Sequence, residues 1–116
     1  MPQKQDPAEL PLRPAVFHIL LALSGGDLHG LGIADDIEQA SEGLVEMGPG
    51  TLYRTLAELV EAGLVRGVGA PEKGADPRRK YYRISRAGRL VLAAEAERLQ
   101  RLVRSARARK VLPDLA

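Results

Sequence analysis

The chain has 116 residues, 45% of them hydrophobic and 28% charged, with a net charge of +2, no Cys and no Trp. That length suits one domain with a modest core, and the absence of Cys excludes disulfide frameworks and thiolate chemistry. One Phe and three Tyr leave the core to Leu, Val, Ile and Ala, which favours helices. The longest apolar run, Ala15–Leu23, is about half the length of a membrane span, so a cytoplasmic protein without a membrane partner is expected.

Residues 1–13 contain prolines, glutamines and acids without periodicity, and read as a flexible arm. Pro14 opens a helix expected over 14–24, with Val16, Ile19, Leu20 and Leu23 on one side and His18 packed among apolar neighbours. The "SGGD" stretch stops it. His29 then stands where it can cap a second helix over 30–40, phased by Leu31, Ala34 and Ile37. After the connector "SEGLVEMG", Pro49 starts a third helix whose apolar stripe is Leu52, Leu56, Leu59 and Val60, ending at Gly63. Its opposite side carries Gly50, Thr51, Arg54, Ala57, Glu58 and Glu61. The first turns of that outer face are small, hydroxylated or basic, so an anion is drawn there by side chains and helix dipole alike.

Beyond Gly63 the period becomes that of strands. Residues 64–70 and 78–85 read as a hairpin with a Pro/Gly-rich tip at 71–77. On the returning strand Tyr82 and Ile84 face one way, Tyr81 and Arg83 the other. Lys73, Arg78, Arg79, Lys80 and Arg83 concentrate positive charge on the hairpin. Charge is divided along the whole chain as well: residues 1–60 hold three Lys/Arg and nine Asp/Glu, residues 61–116 fourteen and six. A polyanion partner for the basic half fits that division.

Ser85 caps a last helix expected over 86–110, followed by a short tail, 111–116. Its apolar positions are Val91, Leu92, Leu99, Leu102, Val103 and Ala106. A helix of this length outruns so small a core, and its stripe calls for a second copy of the chain, the alternative for its first two turns being to fold back on the chain's own domain. The expected architecture is mainly α with a small β-hairpin: a winged helix-turn-helix domain over 14–85 and a dimerisation helix over 86–110.

Three motifs carry a resemblance to a known family: "LHG" at Leu28–Gly30, "GPGTLYRTLAELVEAGLV" at Gly48–Val65 and "DPRRKYYRISRAGR" at Asp76–Arg89. From about Pro14 to Arg109 the chain resembles PadR-type transcriptional regulators, in the layout with one C-terminal helix. Two positions depart from the family pattern. Leu31 stands where a Tyr usually follows "LHG", and Gly48 where Ser or Thr usually precedes the Pro.

The resemblance implies a homodimeric transcription factor, usually a repressor, on a roughly palindromic operator. It places the third helix in a major groove with Gly50, Thr51 and Arg54 outward, where Arg54 reads a guanine edge or, as the alternative, contacts a phosphate. Tyr53 packs its ring and either offers its hydroxyl to a phosphate or serves purely as core. Lys73, Arg78, Arg79 and Lys80 are expected on phosphates or in the minor groove. Some family members answer to phenolic or drug-like inducers between the first and last helices. Phe17 and the Leu/Val stripe of the last helix are the residues available for such an effector, and both serve equally as core. The competing reading is a winged-helix module that binds protein and not DNA, although such modules lose the cationic wing. No catalytic, cofactor or metal motif is present, and neighbouring Asp35 and Asp36 point about 100° apart on a helix.

Overall fold

A computed structural model describes residues 6–70 and 75–113. It contains α1 (Pro14–Leu23), β1 (Leu28–His29), α2 (Gly30–Ala40), α3 (Pro49–Glu61), β2 (Val65–Val68), β3 (Tyr81–Ile84) and α4 (Arg86–Ala108). The strands form one antiparallel sheet in the order β1-β3-β2, with Val65 opposite Ile84 and His29 opposite Tyr81. Helices and sheet enclose one core in which Ile19, Leu20, Ile33, Leu56 and Leu59 are fully buried. This is the winged helix-turn-helix that the order of elements predicts.

The ends of α3 follow directly from local sequence. Gly48 takes an extended conformation as cap, and Pro49 fills the first helical position without losing an N–H bond. At the other end Gly63 has φ +77°. Its N–H donates to the Val60 carbonyl and the Leu64 N–H to the Leu59 carbonyl, a Schellman closure that needs a left-handed residue. The same turn holds the start of α4. Ser85 accepts the Gly88 N–H at 3.0 Å, and its hydroxyl donates to the Gly63 carbonyl at 2.6 Å. A Cβ on Gly88 would lie 2.2 Å from the Leu64 carbonyl oxygen, so only glycine lets the helix approach this closely.

Several expectations are corrected. Residues 6–13 are not a loose arm. Leu12 is buried, Ala8 packs on the core, and the Leu12 N–H donates to Glu95 Oε2 at 2.6 Å. Arg13 pairs with Glu58 of α3. On α3 the buried stripe includes Thr55, whose hydroxyl donates to the Thr51 carbonyl at 2.7 Å, while Val60 is exposed. The one-turn back-bond removes the penalty for burying that hydroxyl. His18 is half-buried at the edge of Phe17 instead of packed in the core.

Leu28–His29 form a strand that has no period of its own, because two residues cannot show one. That extra strand changes β3. Tyr82 and Ile84 face the core as alternation requires, but Tyr81 is buried too, since β1 brings His29 against it with ring centroids 5.5 Å apart. The strands are also shorter than the expected 64–70 and 78–85, and α4 stops at Ala108, two residues early.

Candidate nucleic-acid interface

Gly50, Thr51 and Arg54 lie exposed on one side of α3. Arg54 makes no ion pair among the described residues and stands exposed on the second turn of α3, with the donors of its guanidinium available to an acceptor. The acidic residues further along do not all compete for them, because Glu58 is held by Arg13.

Tyr53 is half exposed and reaches across to α2. A Cβ on Gly30 would fall 2.2 Å from the Tyr53 hydroxyl oxygen. The glycine of "LHG" and the tyrosine of "GTLY" are thus two sides of one contact. Leu31, exposed, lines the same cleft of about 170 Å³, together with His29, Arg79 and Lys80. This cleft joins the N-terminus of α2, the outer side of α3 and the base of the wing.

His29 is the residue that organises it. Its Nδ1 accepts the Gly32 N–H at 3.0 Å, capping α2 as its position predicts. The Arg79 guanidinium stands within 3.3 Å of both ring nitrogens. One imidazole therefore supports a helix start, Tyr81 and a wing cation. The role as wing anchor is invisible in sequence, fifty residues separating His29 from Arg79.

The remaining wing cations are not equivalent. Arg78 is almost fully exposed and is folded onto Asp76, whose carboxylate accepts its Nε–H at 3.2 Å and its backbone N–H at 2.9 Å. Arg78 holds the Asp76 carboxyl below its ordinary range. Lys80 sets its ammonium 5.5 Å from the Tyr82 ring. Arg83, counted among the basic strand residues, is already occupied. It makes two bonds to Asp27, at 3.0 and 2.8 Å, and that hydrogen bonding lowers the Asp27 carboxyl against an opposing effect of burial. Lys73 lies outside the described residues.

A family model for "Transcriptional regulator PadR-like family" matches residues 19–94. The chain belongs to the PadR-like family of transcriptional regulators. A 37.1 kDa protein of a Streptomyces fradiae transposon is 42% identical over 84 residues, 72% of this chain; the chain spans 22% of that curated relative's length. Among solved structures, a transcriptional regulator from Clostridium thermocellum matches with 25% identity and a TM-score of 0.64, over 79% of this chain and 85% of that one. Bacillus subtilis PadR, solved in complex with operator DNA, matches with 21% identity and a TM-score of 0.60, over 72% and 46%.

In this PadR-like chain the stripe of α4 divides in two. Leu92 is part of the chain's own core and is not free for a second copy as the sequence suggests, while Val91 is half-buried against that core. Leu99 and Ala106 are half-buried, whereas Leu102 is 56% and Val103 39% exposed. Between the two parts lies Glu95, buried on the apolar side and overlooked in the sequence. It accepts from the Leu12 N–H and pairs with Arg98. The Arg98 bond, aided by Leu12, lowers its carboxyl against desolvation. A carboxylate at apolar spacing with Arg three positions on is the signal that marks it. Phe17 packs partly buried against the core. Among the described residues no three metal-binding side chains gather, and no helix is long and apolar enough to cross a membrane.

Proposed function

We propose that this PadR-like regulator acts as a homodimeric repressor that binds a roughly palindromic operator through α3 and the wing. The observation that carries this reading is the shared cleft: Tyr53 of α3 and Arg79 and Lys80 of the wing line one cationic recess, and on the same helix Arg54 is exposed with no ion pair among the described residues. Two-fold symmetry in the protein then mirrors that of the operator. Bacillus subtilis PadR, which shares the fold, was solved on operator DNA.

Roles divide by geometry. Thr51 and Arg54 enter the major groove, with Gly50 allowing close approach of the backbone, and Arg54 reads a guanine. Tyr53, Arg78, Arg79 and Lys80 hold phosphates. Leu99, Leu102, Val103 and Ala106 join the two copies along α4, where Leu102 and Val103 stand exposed among the described residues. A small-molecule effector is a further expectation of this reading, with Phe17 at its margin.

Selection of bound sequences from random duplexes tests the whole proposal, the expected product being two half-sites in inverted repeat. On the selected site, Arg54→Ala is expected to lose about 1–3 kcal/mol of discrimination over random DNA at fixed salt. An unchanged ratio removes Arg54 from the reading set. A chain that retains no duplex at very low ionic strength favours the protein-binding module instead.

A further inference from the structure

Two stretches of the chain carry charge that the fold leaves unanswered. From Pro14 to Tyr53 there are six carboxylates and no Lys or Arg; among the described residues only Asp27 of these is ion-paired. From Arg98 to Lys110 there are six cations and no carboxylate, and among the described residues only Arg98 has an acidic partner.

Both stretches also present apolar surface. The α2–α3 loop exposes Leu44 at 90%. Beside it a groove of about 160 Å³ runs between α1 and the loop, lined by Ala15, His18, Val45, Glu46, Met47 and Thr51. Past the end of α4, Val111 is 73% and Leu112 39% exposed.

We propose that Arg109–Leu112 of one chain docks in this groove of a second copy. Arg109 and Lys110 pair with Glu42 and Glu46, and Val111 and Leu112 sit on Val45 and Met47. The inference rests on the homodimer reading above. A two-fold axis crossing α4 makes the two helices antiparallel. Pairing centred between Leu102 and Val103 sets the end of one helix, Ala108 and Arg109, beside residues 96–97 of the other, and Lys110, at φ +62°, turns the residues after it off the helix axis. Glu95 lies at that level, and it holds the N–H of Leu12, two residues before the start of α1. Pro14 is itself part of the groove's rim. The end of α4 therefore arrives where opposite charge and apolar surface are both waiting. Thr51 lines the groove as well, so docking braces the first turn of α3 and links assembly to the DNA-reading face.

Charge reversal in the full chain tests this by sedimentation equilibrium. R109E/K110E and E42K/E46K are each expected to weaken the dimer about tenfold, and their combination to return it to within a few-fold of wild type. Combining R109E/K110E with E9K/E61K, which restores net charge at exposed sites away from the loop, is expected not to rescue. Reversals without effect, failure of the first combination to rescue, or equal rescue by both combinations would overturn the docking and leave dimerisation through the α4 stripe standing. Normal dimerisation with a shallower salt dependence of duplex binding in R109E/K110E would also overturn it, by assigning these cations to DNA. A wild-type chain that sediments as a monomer removes this inference and the homodimer together, while Arg54 and the wing can still be tested on DNA.

Discussion

Helix α3 buries Leu52, Leu56 and Leu59 to 2% exposure or less, whereas α4 buries Leu92 and leaves Leu102 at 56%. Both helices have apolar residues at helical spacing, so amphipathicity does not separate them. Their neighbours do. Helix α3 lies against α1, α2 and β2, and α4 has α1 as its main support. About one half of α4 therefore extends past the core, with Leu102 and Val103 exposed on its apolar side. A stripe in sequence announces that something will be buried; only the surroundings decide whether the cover comes from the same chain. The outer faces differ in the same way. That of α3 is small and partly basic near its start, while that of α4 is basic throughout its second half.

The sharpest way to break this comparison is to truncate equivalent leucines. Leu59→Ala should cost about 2–5 kcal/mol of unfolding free energy, because it empties a fully buried site. Leu102→Ala should leave denaturant stability extrapolated to a dissociated chain nearly unchanged and weaken self-association. Equal losses at the two positions would show that α4 is covered by its own domain after all.

Gly88→Ala comes next, with an expected loss of about 1–3 kcal/mol in thermal or denaturant unfolding. The clashing atom is the Leu64 backbone oxygen, 2.2 Å away, so backbone has to move. An unaltered midpoint would mean that the closure between α3 and α4 is looser than described.

On the proposed DNA face, R78A/R79A should weaken binding to all duplexes alike. For a dimer using about three wing cations per subunit, the log–log salt slope near −5 should become markedly shallower. A slope that stays the same would confine DNA contact to α3.

The smallest effect concerns acid stability and belongs to α4. Glu95 has its folded carboxyl lowered by Arg98. Its contribution is thus complete above the ordinary carboxylate value and is lost as pH falls through the lower, folded one. Stability of wild type should drop on the acid side of that range, and Glu95→Gln should flatten the dependence there. Parallel pH profiles for the two chains would show that Glu95 gains nothing from its ion pair.

Much of the fold was legible because the punctuation is local. Pro14, Pro49, Gly63 and Ser85 act on their own turns through φ restriction or capping, and all four mark element ends in the structure. The outward side of α3 was legible for a related reason, since helical geometry fixes which residues oppose the stripe. The wing was only partly so. Arg83 looked like its neighbours in sequence, but Asp27, fifty-six residues earlier, takes its guanidinium. Val60, expected in the stripe, is exposed because it lies toward an open cleft with Tyr53, Lys80 and Tyr82, and Thr55, given no place in the sequence reading, is buried because it satisfies its hydroxyl within the helix.

By itself the sequence determined where helices begin and end, which way α3 turns its small and basic residues, and that positive charge collects after residue 60. Those outcomes depend on backbone restriction, periodicity and composition, all of which act over a few residues. Tertiary structure alone decided that Leu28–His29 would be a strand, that His29 would steady Arg79, and that Leu12 would dock on Glu95. Each of these requires groups far apart along the chain to meet, and the free energy of such a contact exists only once the core has brought them together.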